Sequence, residues 1–289
     1  MKIIRASVLG YCFGVRRAVE LAQKALAENE NSGKKVYSLG PLIHNESVLE
    51  KLSMQGLIIV NESELNKIEN ESVVIIRAHG VAPSVIEELE NKKCTVIDAT
   101  CPRVKASQKM VERYTTQNDY VVLTGDRNHG EVIGIAGYAG ENFSQIQDYE
   151  EAKNFVIKGA DKNASEFNVI LLSQTTYSPK EFEKIENLFR QKFHNLAVMN
   201  TICPATNERQ QALLELCSQV DGVLVVGGKN SANTKRLYQT AAANCALAAH
   251  IQSAEEIPQE FFKLQKVGIT AGASTPDEII KEVENVLCK

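Results

Sequence analysis

The stretch Thr95-Val96-Ile97-Asp98-Ala99-Thr100-Cys101-Pro102 holds the key to the fold. A β-branched run ends in small and polar residues. A cysteine follows, and then a proline suited to the first turn of a helix. The pattern recurs at Ala197-Val198-Met199-Asn200-Thr201-Ile202-Cys203-Pro204. A looser version opens the chain, with Lys2-Ile3-Ile4 and Val8-Leu9-Gly10-Tyr11 leading to Cys12-Phe13-Gly14. Helical periodicity follows the cysteine. Val15, Ala18, Val19, Ala22 and Leu26 make one apolar stripe, and Leu213, Leu216, Cys217 and Val220 make another.

Working outward, each helix leads to a second strand that ends in glycine and a polar loop. These are Val36–Gly40 with His44-Asn45-Glu46, Val121–Gly125 with His129-Gly130-Glu131, and Val223–Gly227 with Ser231-Ala232-Asn233. Cys101 to His129 and Cys203 to Ser231 are both 28 residues, and Cys12 to His44 is 32. The excess fits the polar stretch from Asn29 to Lys35. A third strand ends in small or polar residues ahead of Pro83, Pro179 and Pro276, which lie 71, 78 and 73 residues after their cysteines. A period of about 90–100 residues, met three times in parallel, is an internal repeat.

Alternating strands and helices predict an α/β fold of three pseudo-equivalent small parallel-sheet lobes, with right-handed crossovers. The expected lobes are residues 13–97, 98–198 and 199–289. The orphan strand within residues 1–12 is expected to pack on the third. Ligands of such sheets bind beyond the strands' carboxyl ends, where every polar loop named above lies. If the lobes meet about a pseudo-threefold axis, three cysteines and three polar rims face one cavity.

Composition narrows the function. With 289 residues, 44% of them hydrophobic and 24% charged, the chain is ordinary globular protein. A net charge of −4 and no long basic run argue against nucleic acid. No apolar run approaches the roughly 18 residues that span a bilayer. The N-terminus has too short an apolar core for a signal peptide, so a cytoplasmic protein is expected. Its seven cysteines are then not expected to be disulfides. Trp is absent, and no GxGxxG or Walker motif occurs. Reducing equivalents, where needed, must come from outside.

Three convergent thiolates suit zinc or an iron–sulfur cluster. Clusters usually take four cysteines, so three would leave one iron open to a substrate oxygen. Zinc with an open site cannot supply electrons. The bland alternative is three buried helix-start cysteines, against which their shared phase argues. Cys94, Cys217, Cys245 and Cys288 have no counterparts in the repeat and read as core or incidental residues. His44, His79 and His129 fall at strand-end loops. With Thr175, Ser231, Asn233 and Ser274 they form a donor-rich rim suited to a phosphate or diphosphate beside helix N-termini. Glu131 would repel such a ligand, which points to proton delivery. Its alternative is a first-turn residue opposing the helix dipole.

Taken together, Cys12-Phe13-Gly14-Val15, Gly40-Pro41-Leu42-Ile43-His44-Asn45, Arg77-Ala78-His79-Gly80, Asp98-Ala99-Thr100-Cys101-Pro102, His129-Gly130-Glu131, Ser173-Gln174-Thr175-Thr176, Thr201-Ile202-Cys203-Pro204 and Asn230-Ser231-Ala232-Asn233 resemble one family, the 4-hydroxy-3-methylbut-2-enyl diphosphate reductases. The resemblance runs from Cys12 to Ser274. It implies three lobes around one 4Fe–4S cluster ligated by Cys12, Cys101 and Cys203. It further implies substrate contacts at His44, His79, His129, Thr175, Ser231, Asn233 and Ser274, with Glu131 as proton source. The implied reaction reduces the allylic diphosphate to isopentenyl and dimethylallyl diphosphates, with electrons from a donor such as flavodoxin or ferredoxin. Many relatives have serine where this chain has Ala232, which removes one hydroxyl donor. The rival readings are a non-enzymatic iron–sulfur sensor of a phosphorylated metabolite and a zinc-dependent phosphate-ester hydrolase.

Overall fold

The computed structural model describes residues 1–43, 45–157, 168–229 and 231–288, with only the backbone at position 232. The described residues form twelve short strands and ten α-helices, with a few 3-10 turns. The strands are β1 (Lys2–Arg5), β2 (Val36–Leu39), β3 (Leu57–Val60), β4 (Val73–Ile76), β5 (Thr95–Asp98), β6 (Tyr120–Thr124), β7 (Phe143–Ile146), β8 (Val169–Ser173), β9 (Leu196–Met199), β10 (Gly222–Val226), β11 (Leu247–Ile251) and β12 (Lys266–Ala271). The helices are α1 (Phe13–Asn29), α2 (Glu46–Met54), α3 (Pro83–Asn91), α4 (Pro102–Thr116), α5 (Gly130–Ala136), α6 (Tyr149–Lys153), α7 (Pro179–Lys192), α8 (Pro204–Cys217), α9 (Ala232–Asn244) and α10 (Asp277–Leu287).

The strands form three four-stranded sheets in the orders β1-β12-β10-β11, β3-β2-β4-β5 and β7-β6-β8-β9. Read from the strand before each cysteine, all three share one plan. That strand is at one edge, the third strand of the repeat is next, and the strand after the first helix follows. The α/β fold of three repeated parallel-sheet lobes is therefore present. Pairing is parallel throughout the first and third sheets and between β4 and β5. The inner strands β2, β4, β6, β8 and β10 are buried along their whole length. That is why they read as unbroken Val, Ile and Leu runs rather than as alternation.

The sequence reading passes over the opposite edge strand of each sheet, β3, β7 and β11. Phe143-Ser144-Gln145-Ile146 and Leu247-Ala248-Ala249-His250-Ile251 are only partly buried, so they carry a weak apolar signal. The helix stripes are present, with small differences. In α1, Ala25 joins Ala18, Val19, Ala22 and Leu26 in the core, while Val15 is half-exposed.

The chain divides into two compact units, Met1–Ile59 with Pro204–Lys289, and Val60–Cys203. In the first, β1 pairs with β12, Lys2 opposite Lys266 and Arg5 opposite Ile269. Its cores are built on the two faces of β10, with Leu224 and Val226 in one and Val223 and Val225 in the other. The second unit repeats this about β6. Tyr120 and Val122 face an aromatic core of Phe182, Phe189 and Phe193, while Val121 and Leu123 face Val104, Val111 and Ile135.

Candidate functional site

The three repeat cysteines are held by one recurrent hydrogen bond. The Cys12 N–H donates to the Ala273 carbonyl at 3.1 Å, Cys101 to Ala78 at 2.9 Å and Cys203 to Thr175 at 2.7 Å. Each acceptor lies two residues beyond the last residue of β12, β4 or β8. The same residues meet in every repeat because the cysteine loop crosses the carboxyl end of the neighbouring parallel strand. Cys12 and Cys101 are the N-caps of α1 and α4, yet neither sulfur caps its helix. In the third repeat a further tie holds the loop, with the Thr201 hydroxyl donating to the Ser173 carbonyl and accepting the Ser173 N–H.

None of these cysteines is in a disulfide, and all three are partly exposed. Cysteine sulfur is a soft donor suited to soft metals and iron–sulfur clusters. Such a donor set fits iron–sulfur ligation. Among the described residues, no three His, Cys, Asp or Glu side chains group closely enough to hold a single metal ion. A polynuclear cluster differs in demand, because it spreads its cysteines over separate irons.

Within the second unit, the loops after β4, β6 and β8 assemble an acid and two imidazoles. Glu131, in the first turn of α5, is 1% exposed. Its Oε1 accepts the Thr175 N–H at 2.6 Å, and its Oε2 accepts the Thr175 hydroxyl at 2.8 Å. Burial raises its pKa above the ordinary carboxylate value, and the two Thr175 hydrogen bonds oppose that rise without cancelling it. His129 caps α5, its Nδ1 accepting the Glu131 N–H at 3.1 Å. An imidazole that accepts at Nδ1 carries its proton on Nε2 when neutral, so it presents a donor there. The His79 and His129 rings meet edge to face, centroids 4.9 Å apart.

Arg77, which the motif contains but the sequence reading leaves without a role, lies against this turn. One guanidinium nitrogen donates to Glu62 at 2.6 Å. The same nitrogen lies 2.5 Å from where a β-carbon on Gly130 would stand. A side chain there would have to push the guanidinium aside. Arg77 Nε is buried without a hydrogen-bond partner among the described residues.

In the first unit, Ser231 caps α9 by accepting the Thr234 N–H at 3.3 Å. Asn45 caps α2 and donates to the Ser274 carbonyl at 2.9 Å. Asn45, one residue beyond His44, is thus the counterpart of His129 and Ser231 as the cap after the middle strand. The Asn233 side-chain amide nitrogen is buried and without a partner among the described residues, an arrangement that suits a ligand acceptor. His44 lies outside the described residues. Arg209 is the main residue the sequence reading missed. It is 2% exposed and donates to the Ala271 carbonyl at 3.1 Å, at the end of β12. The signal was present, since Arg209 stands one turn before Leu213 on the apolar stripe of α8. Of the histidines outside the pattern, His250 is partly buried, its Nε2 2.9 Å from the Gly227 carbonyl oxygen.

Three small parallel sheets, each followed by a cysteine loop and a polar helix cap, define a class of α/β proteins with three repeated lobes. The chain belongs to the LytB protein family, whose model matches residues 3–288. It is 46% identical to the 4-hydroxy-3-methylbut-2-enyl diphosphate reductase of Treponema denticola over 99% of both chains. It is 40% identical to the reductase of that name from Caldanaerobacter subterraneus, over 98% of this chain and 95% of the other. Among solved structures it is similar to (E)-4-hydroxy-3-methyl-but-2-enyl diphosphate reductase, described as the terminal enzyme of the non-mevalonate pathway. There the TM-score is 0.79 and the identity 37%, over 100% of this chain and 99% of the other. The Plasmodium falciparum reductase matches with a TM-score of 0.85 at 27% identity, over 100% and 88%.

Proposed function

We propose that this chain reduces (E)-4-hydroxy-3-methylbut-2-enyl diphosphate to isopentenyl and dimethylallyl diphosphates. The observation that carries the reading is Glu131, a buried acid of raised pKa held by Thr175 beside the His79–His129 pair. The activity for which full-length relatives are named supports the substrate. Cys12, Cys101 and Cys203 would hold one 4Fe–4S cluster, which supplies electrons and Lewis acidity when bound. The lobes acting on it are 13–97, 98–198 and 199–289, with residues 1–12 on the third.

The protein's own residues do the rest. His44, His79, His129, Thr175, Ser231, Asn233 and Ser274 bind and orient the diphosphate. Donors at helix starts suit its charge. Glu131 stays protonated nearer neutrality than an ordinary carboxylic acid and gives its proton to the departing hydroxyl, which leaves as water. Two electrons and two protons convert the allylic alcohol to alkene and water, and the position of the second protonation decides which isomer forms. No redox coenzyme fingerprint occurs in the sequence, so electrons come from an external carrier such as flavodoxin or ferredoxin. The proposed compartment is the cytoplasm. No described helix is long and apolar enough to cross a membrane.

Anaerobic purification tests the reading, with quantification of iron and sulfide and product analysis under a reduced viologen. Iron, sulfide and both C5 diphosphates are expected. Zinc without sulfide, together with phosphate release, would establish the hydrolase instead. Cluster and tight diphosphate binding without turnover would establish the sensor.

A further inference from the structure

The loops after β6 and β10, which lead to His129 and Ser231, are gripped by their edge strands in the same way. In the second unit, the Gln145 side-chain amide donates to the Gly125 carbonyl at 2.9 Å. Two residues further along both segments, the Arg127 N–H donates to Gln147 Oε1 at 3.1 Å. The Arg127 guanidinium pairs with Glu151 at 2.9 Å. In the first unit, His250 Nε2 stands 2.9 Å from the Gly227 carbonyl oxygen. The Lys229 N–H donates to Gln252 Oε1 at 2.9 Å, and the Lys229 ammonium pairs with Glu256 at 2.8 Å. Each loop residue of this second set follows its counterpart by 102 positions, and each edge residue by 105. A carbonyl only accepts, so His250 Nε2 is the donor, as the Gln145 amide nitrogen is in the other repeat.

We infer that Gln145, Gln147, His250 and Gln252 are positioning residues, which hold these two loops in the shape that presents His129 and Ser231 to the diphosphate. The inference rests on the diphosphate site proposed above. A buried carbonyl needs one donor, and the first repeat shows how little that takes. There the Gly40 carbonyl accepts the Ser38 hydroxyl at 2.8 Å, and β3 ends in Ile59-Val60, whose side chains cannot donate. Pro41 stiffens the chain that follows. Asp126 and Gly228 stand in its place in the other repeats. There a second bond, from the N–H two residues beyond the glycine, sets the course of the loop. The ion pairs of Arg127 and Lys229 are exposed and add little. A loop held in its binding shape beforehand loses less freedom when the ligand arrives.

The test is anaerobic titration calorimetry of the holoprotein with inorganic diphosphate. The two glutamines of the second unit play opposite parts, Gln145 donating and Gln147 accepting. Gln145→Glu keeps the shape but turns a carboxylate oxygen on the Gly125 carbonyl. Gln147→Glu adds the same charge two residues away and keeps its acceptor. Gln145→Glu should therefore bind diphosphate about 2–10-fold more weakly than Gln147→Glu, the equivalent of one hydrogen bond. His250→Leu should weaken binding by a similar factor. His250→Gln, which copies the other repeat, should bind as the parent does. In turnover, His250→Leu should raise KM with kcat little changed, since Glu131 lies in the other unit. A merely structural tie would lower the ligand-free Tm and leave every affinity at the parent's value, which overturns the inference. Equal weakening by the two glutamate variants would trace the loss to charge and overturns it as well. A parent that binds no diphosphate would instead remove the diphosphate site itself, and the purpose of the grip with it.

Discussion

At the scale of single residues, Glu131 decides most. A carboxylate buried to 1% exposure in a loop suited to anions works against affinity, so its role must lie elsewhere. Glu131→Gln preserves shape. The amide oxygen can accept the Thr175 N–H, while the amide nitrogen donates to the Thr175 hydroxyl. Only the acid is lost. General acid catalysis is typically worth about 100–10,000-fold, so kcat should fall by that range with KM little changed, the mark of an interaction used in the transition state. Turnover within about threefold of the parent would return Glu131 to the role of a first-turn helix residue. The same variant has a stability signature. The folded pKa of Glu131 is raised above the unfolded value. Its contribution is therefore complete below the ordinary carboxylate range and is lost as pH rises through the folded pKa. Urea midpoints of parent and variant should converge in acid, and the glutamine protein should gain relative to the parent as pH climbs. Gly130 offers a steric test nearby. A methyl group there would overlap the Arg77 guanidinium, so Gly130→Ala should displace the His129–Glu131 turn and lower kcat. Arg77→Ala in the same chain should restore part of the loss by making room. If the double variant is no better than Gly130→Ala alone, the clash is not the cause.

Among the elements, the strand–cysteine–helix unit repays the closest reading. Proline after Cys101 and Cys203 marks each helix start from sequence, and the N–H bonds to Ala78 and Thr175 then fix the loops. The proposed ligand role separates these cysteines from the others. Cys101→Ser should lose most of the iron and nearly all turnover. Cys94→Ser should keep both, because the Cys94 thiol meets Ser72 and Glu69 beside the start of β5. Full iron content in the Cys101 variant, measured anaerobically, would remove it from the ligand set. Sequence made the inner strands legible because burial on both faces leaves continuous apolar runs. It left β7 and β11 obscure, since an edge strand half open to solvent keeps Ser144, Gln145 and His250 without penalty. Leu57-Ile58-Ile59-Val60 is a different case. Its composition is that of a strand, but β3 falls in an interval that cysteine spacing does not index. The candidate site shows the same division. Residues placed by motif at strand ends, His79, His129 and Thr175, do stand together with Glu131. Arg77 acts through contacts between elements, which no local pattern specifies, whereas Arg209 could have been found from its place on the apolar stripe of α8.

At the scale of the whole molecule, the proposed function asks donors from all three sheets to serve one diphosphate. Identical strand order in all three sheets places a polar helix start after the middle strand of each, at Asn45, His129 and Ser231. Evolution of a repeat does not by itself require the three to share a ligand, whereas a diphosphate, with several anionic oxygens, would use donors from more than one. Inorganic diphosphate is the simplest probe. A ligand at about 100 times its Kd stabilises the folded protein by about 2.7 kcal/mol, which a thermal scan resolves. Losing one charge-assisted hydrogen bond should cost about 1.5–3 kcal/mol, or roughly 10–100-fold in affinity. His79→Ala and His129→Ala should each shrink the diphosphate-induced rise in Tm by such a loss of affinity, and Ser231→Ala should shrink it by less, since its hydroxyl is neutral. His129 and Ser231 also cap their helices, and losing a cap costs about 1 kcal/mol on its own. The quantity to compare is therefore the shift between ligand-free and ligand-bound protein for each variant, not the Tm itself. If the Ser231 variant keeps the full shift while both histidine variants lose theirs, the anion is held by the second unit alone, and the rim is not shared among the repeats.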